Sequence, residues 1–159
     1  MELAEAVQKV KGSDAYKQWE HKGFLAHAFV MLEDTAFNSW QLGFYENDKV
    51  TTFVLKDNAI TIVPAADILK SNREIQELSL DKVKLTAQQA LDKAKEVRQD
   101  KYPVDLSMRT FMIIQVLEHG MVYNITFLTK TLKTVNVKVS TLDGSVKHHS
   151  CEPLVSMQK

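Results

Sequence analysis

Cysteine is nearly missing: Cys151 stands alone among 159 residues, so no intramolecular disulfide can staple the fold. That usage fits a reducing compartment, or a secreted protein that does without staples. Glycine is scarce at five residues, which leaves little material for a loop that brings backbone close to a phosphate. An excess of one charge is missing too. Twenty basic and twenty acidic residues give a formal net charge of zero, so no whole-chain field draws nucleic acid or an acidic membrane, although a local patch remains open. No apolar run approaches the roughly 20 residues of a membrane span. The opening Met1-Glu2-Leu3-Ala4-Glu5 is acidic and lacks the apolar segment of a secretory signal. As written, the chain reads as cytoplasmic; it reads as extracytoplasmic if an export signal or anchor has been removed.

What is present is an ordinary globular balance of 45% hydrophobic and 25% charged residues, enough for one domain with a sizeable core or two small subdomains. The clearest helix begins at Thr86. Its side chain can accept from the backbone of Gln89 while Gln89 reaches back, a capping box. Ala87, Ala90, Leu91, Ala94 and Val97 then recur on one face, and three alanines let that face lie close on a sheet. Lys95 and Arg98 suit the negative end of the helix dipole, and Tyr102-Pro103 stops the helix. A shorter amphipathic helix is expected from Leu3, Ala6, Val7 and Val10, with a second segment through Tyr16 and Trp19 to about His21.

Strand signals fill the rest. Residues 24–32 and 108–117 are nearly continuous apolar runs and read as buried strands. Trp40, Leu42 and Phe44 alternate with polar or small neighbours, as do Tyr123, Ile125 and Phe127, and Val135, Val137 and Val139. Residues 50–55, 59–63 and 145–149 are further strands. Residues 33–38 and 46–49, Asp57-Asn58, 118–120, 129–132 and Asp143-Gly144 are turn signals. A short helix is expected near 65–70, and a frayed tail after Pro153. Both halves follow one order, helix then long strand then aromatic-led strand then hairpin, so the expectation is an internal repeat. The expected fold class is α+β: two αβββ-type units, each a helix packed on an antiparallel sheet, at 1–66 and 85–155, joined by a packed linker at 67–84.

Residues 85–149 resemble a PepSY domain, the module of metallopeptidase propeptides and of sporulation and membrane-associated bacterial proteins. The likeness rests on the Thr86 helix with its alanines, on the strand Val122-Tyr123-Asn124-Ile125, and on Val137-Lys138-Val139-Ser140-Thr141-Leu142-Asp143-Gly144-Ser145-Val146. Ser140 stands where the family's pattern has Asp, and Asp143 where it has Thr. The first half looks like a more diverged copy. The resemblance implies a cystatin-like helix on a sheet, inhibition or binding of a peptidase, and no catalytic residues.

Chemistry-bearing clusters are few. His149 and Cys151 would share one face of a strand and His148 the other, but zinc needs three or four ligands, and His21, His27 and His119 would have to converge from elsewhere. Cys151 lacks the context of an activated nucleophile. His27, among Leu25, Ala26, Ala28 and Phe29, reads as a hydrogen-bonded core histidine. Lys130, Lys133, Lys138 and Lys147 with Tyr123 and Phe127 could suggest a nucleic-acid sheet, yet the two aromatics lie on the face expected to pack on the helix. There is no glycine-rich phosphate loop, nucleophile elbow or His-Glu-x-x-His helix. The sequence thus points to a non-enzymatic binding or regulatory module without cofactor, with a protein partner, a peptidase by the resemblance, and no nucleic acid. The alternative is a small-ligand domain with a cavity under the sheet near Trp40, Phe44 and Phe111. Oligomeric state is left open.

Overall fold

The structure is a computed structural model that describes residues 1–20, 23–32, 37, 39–67 and 74–154. Eight antiparallel strands carry it: β1 (Phe24–Leu32), β2 (Ser39–Glu46), β3 (Lys49–Lys56), β4 (Ala59–Asp67), β5 (Ser107–Leu117), β6 (Gly120–Thr129), β7 (Lys133–Ser140) and β8 (Val146–Pro153). They form one sheet in the order β4-β3-β2-β1-β5-β6-β7-β8. Among the described residues, three α-helices, α1 (Leu3–Lys11), α2 (Asp14–Gln18) and α3 (Ala87–Lys101), and a short 3-10 turn at Leu80–Lys82 complete the α+β fold. No helix among the described residues is long and apolar enough to cross a membrane.

This corrects the expectation of two separate αβββ units. Each half contributes four strands, and the halves merge because β1 pairs with β5 over six residue pairs, from His27–Gln115 to Leu32–Thr110. A half closed on itself would leave that edge of β1 with a row of unpaired N–H and C=O groups. Pairing the two edges satisfies both rows at once.

The helices lie on one face, over a single apolar core. Leu3, Ala6, Val7 and Val10 bury the inner side of α1, which meets β2 and β3. Ser13 caps α2 by accepting from the Tyr16 N–H, and α2 ends at Gln18 rather than near His21, which lies outside the described residues. Extended Trp19 then turns inward, and its ring meets Phe53 edge-on at 5.4 Å between centroids. The Thr86–Gln89 capping box of α3 is formed in full. Ala87, Ala90, Leu91 and Ala94 pack α3 against β6 and β7. Glu2 adds a further contact, its carboxylate accepting from the Ala87 N–H at the start of α3.

Turn chemistry follows the sequence. Asn47 and Asp48 between β2 and β3, and Asp57 and Asn58 between β3 and β4, all take positive φ, the left-handed conformation that Asn and Asp adopt more readily than other non-glycine residues. β4 runs past the expected end at 63 to Asp67, so the helix expected at 65–70 is absent over 65–67, and 68–70 lie outside the described residues. An edge strand tolerates Pro64, here opposite a shift of register between Val50 and Thr52. β8 likewise extends to Pro153; of the tail, 155–159 lie outside the described residues. In the connecting stretch Leu78 is buried and its N–H donates to the Leu25 carbonyl.

Candidate functional site

Strand alternation places the core on the helix side: Ala28 and Val30 of β1 and Met112 and Ile114 of β5 are fully buried. The residues between them face the other way, where no described helix lies. Phe29 is directly opposite Ile113, and Met31 opposite Phe111. The Phe29 and Phe111 rings sit 6.3 Å apart. Phe29, Phe111 and Ile113 are half-buried, and Met31 is 40% exposed. The continuous apolar runs in β1 and β5 are therefore not strands buried on both faces. Their second apolar row forms a patch at the centre of the sheet's open face.

Polar residues flank the patch. Gln41 on β2 is opposite Phe29; on β6, Asn124 is opposite Ile113 and Thr126 opposite Phe111. The Asn136 amide on β7 donates to Asn124 Oδ1 at 2.6 Å and to Thr126 Oγ1 at 3.1 Å. This ladder holds the polar side chains in place beside the apolar centre.

At one end of the patch His27 borders a hollow of about 350 Å³, together with Glu74, Ile75, Gln115, Leu117 and Glu118. A bulge at Leu25–His27 keeps Leu25 on the core side with Ala28, while His27 joins Phe29 on the open side. His27 is thus half-buried on the open face and not the core histidine expected from its apolar neighbours. Its ring lies over Gly43, where a Cβ would collide with it. Burial holds the imidazole pKa below its ordinary value of 6.5, so the ring is neutral at pH 7.

The three aromatic candidates do not meet. Trp40 and Phe44 are buried on the helix side, where the Trp40 indole N–H donates to the Met1 carbonyl. Phe111 lies across the sheet from them. Phe44 floors a different hollow of about 680 Å³ on the helix side, bordered by Tyr16, Phe24, Tyr45, Lys11 and Asp81.

His149 and Cys151 do share the helix side of β8, and they have separate partners. The Tyr102 hydroxyl is 2.8 Å from His149 Nδ1. The Cys151 thiol is 3.8 Å from Asp105 Oδ2, and burial with that carboxylate pushes the thiol pKa up, which disfavours a thiolate. Asp105 is buried, accepts from Thr131 Oγ1 at 2.6 Å and lies 3.8 Å from Lys133 Nζ. Among the described residues no three His, Cys, Asp or Glu side chains come together as metal ligands. Tyr123 and Phe127 are buried on the helix side of the sheet. The Tyr123 hydroxyl donates to the Leu85 carbonyl, and burial raises its pKa.

Sequence reasoning missed Phe29, Met31, Ile113 and His27 as site residues. The signal was present: two strands without alternation, in a fold with too few helices to cover two faces.

No family model matches the sequence, and no curated protein matches it significantly. The crystal structure of a candidate lipoprotein from Clostridium difficile 630 is similar in fold, with a TM-score of 0.63 at 14% identity, over 96% of this chain and 93% of that one.

Proposed function

We propose that this chain is a non-enzymatic binding or regulatory module that docks a protein partner on the open face of its sheet. The observation that carries the reading is the patch of Phe29, Met31, Phe111 and Ile113 at the sheet centre, flanked by Gln41, Asn124, Thr126 and Asn136. An apolar centre with a polar surround is the anatomy of protein interfaces, and exposed apolar patches mark such sites. The resemblance of 85–149 to PepSY modules names the partner class as a peptidase or its propeptide. The same resemblance supports reading the halves as diverged copies that share one sheet: Trp40, Leu42 and Phe44 on β2 and Tyr123, Ile125 and Phe127 on β6 hold corresponding places on either side of the β1–β5 pair.

The test is affinity capture from the native host with the wild type, Phe111→Asp and a Lys93→Asp control on the outer side of α3. Circular dichroism would establish that all three fold. The expected result is a peptidase retained by the wild type and the control, inhibited by the purified chain, and lost from Phe111→Asp. Equal retention by all three refutes the docking face.

The second reading, a small-ligand domain, draws on the 680 Å³ hollow floored by Phe44. A small molecule copurifying with the chain and displaced by Phe44→Ala would favour it.

A further inference from the structure

The hollow beside His27 carries a charge pattern that the apolar patch does not. Among the described residues its border holds two carboxylates, Glu74 and Glu118, and no lysine or arginine. Ile75 and Leu117 supply apolar wall, and Gln115, directly opposite His27 across the β1–β5 pair, supplies an amide. At about 350 Å³ it falls at the small end of the size range of ligand sites, roughly 300–1,000 Å³. Gly43, which lacks a Cβ, lets the His27 ring lie close against β2. The hollow is continuous with the patch, because His27 and Phe29 share a face of β1, and Gln115 and Ile113 share a face of β5.

We infer that this hollow receives an arginine side chain of the partner docked on the open face, a deepening that rests on the proposed function. The aliphatic stem lies along Ile75 and Leu117, and the guanidinium meets Glu74 and Glu118 at the mouth. Arginine fits because it combines an apolar stem with a planar head that pairs with carboxylates, and buried arginines are frequent anchors of interfaces. The neutral His27 imidazole on its border adds no opposing charge. Glu118 already has a cationic-capable neighbour, His119 Nε2 at 3.5 Å, and both side chains are exposed enough for an incoming guanidinium to take its place.

The test needs no identified partner. The ¹⁵N-labelled chain is titrated with N-acetyl-arginine methylamide and, separately, with the citrulline analogue, which keeps the shape and lacks the charge. The expected result is a set of amide shifts confined to His27, Ile75, Gln115 and Glu118, at millimolar arginine analogue. Binding should be about tenfold or more weaker for citrulline, as charge-assisted hydrogen bonds are lost, and likewise for Glu74→Gln/Glu118→Gln. These exposed positions leave the fold intact, which the remaining amide shifts verify. Equal shifts from both analogues, or none at these residues, overturn the inference. So does unchanged partner affinity of the double variant in the capture experiment, which leaves the docking face standing. If Phe111→Asp instead retains the partner, the docking face falls, and the arginine titration still decides the hollow.

Discussion

Replacing Ala90 or Ala94 with leucine tests how closely α3 lies on the sheet. Both alanines have 0% exposure, and α3 packs on β6 and β7. Two opposing effects follow from adding three carbons. If slack existed, burying them would stabilise by roughly 0.8 kcal/mol per carbon. If the contact is full, overpacking costs about 1–3 kcal/mol. A helix face built of Ala87, Ala90 and Ala94 is already at its closest approach, so the repulsive term wins. For a chain of this size each kcal/mol lowers the melting temperature by roughly 2–4 °C. The control is Lys93→Leu on the outer side, where the nitrogen lies 4.0 Å from Glu96 in an exposed ion pair. Such a pair contributes little, and the change should stay within about 0.5 kcal/mol. Urea denaturation of the three variants reads the difference. Equal midpoints, or stabilisation by leucine at 90 and 94, would show that α3 is not seated as described.

His27 makes stability depend on pH. Burial depresses its folded pKa below the ordinary 6.5, so the unfolded chain binds the proton more readily, and stability held above pH 6.5 is lost as pH falls through the folded pKa. His27→Gln should flatten that loss in denaturant midpoints measured between pH 7 and 5, and an unchanged slope would count against the burial argument. Gly43→Ala should drive the ring off β2 toward water and return its pKa toward 6.5, read by NMR titration of the imidazole. Cys151→Ser should shift the melting temperature little, because the thiol has no disulfide partner, its hydrogen bond to Asp105 at 3.8 Å is weak, and serine nearly preserves its volume at the edge of the core. A chelator should leave the melting temperature of the wild type unchanged; a drop of several degrees that is absent from Cys151→Ser would revive a metal site at His149 and Cys151.

Much of the local structure was legible. The Thr86–Gln89 box, the helical spacing of Leu3, Ala6, Val7 and Val10, and the left-handed turns at Asn47-Asp48 and Asp57-Asn58 are interactions within a few residues, so the letters specify them directly. Alternation in 123–127 and 135–139 likewise assigned Tyr123, Phe127, Val135 and Val137 to the core side. Of the three aromatics expected to line a site, Trp40, Phe44 and Phe111, Phe111 alone lies on the open face. Trp40 and Phe44 are in the core because their strand alternates cleanly and α1 and α2 cover its apolar row. Arg98 shows a finer limit: read as a dipole cation, it is buried, its guanidinium donating to the Asp105 carbonyl at 3.0 Å. That partner becomes available only when the chain turns back after Tyr102.

By itself the sequence determined most of the helices and strands, where most turns fall, and which side chains an alternating strand sends to one face, although it placed a helix over 65–67 where β4 continues. Only the tertiary structure decided that β1 joins β5. A strand's two edges carry the same N–H and C=O groups, so periodicity specifies faces and is silent about which distant strand completes an edge. That one pairing turned two expected sheets into one. It also set Phe29 and Met31 beside Ile113 and Phe111, and His27 beside Gln115, assembling a surface from residues 80 to 88 positions apart in the chain.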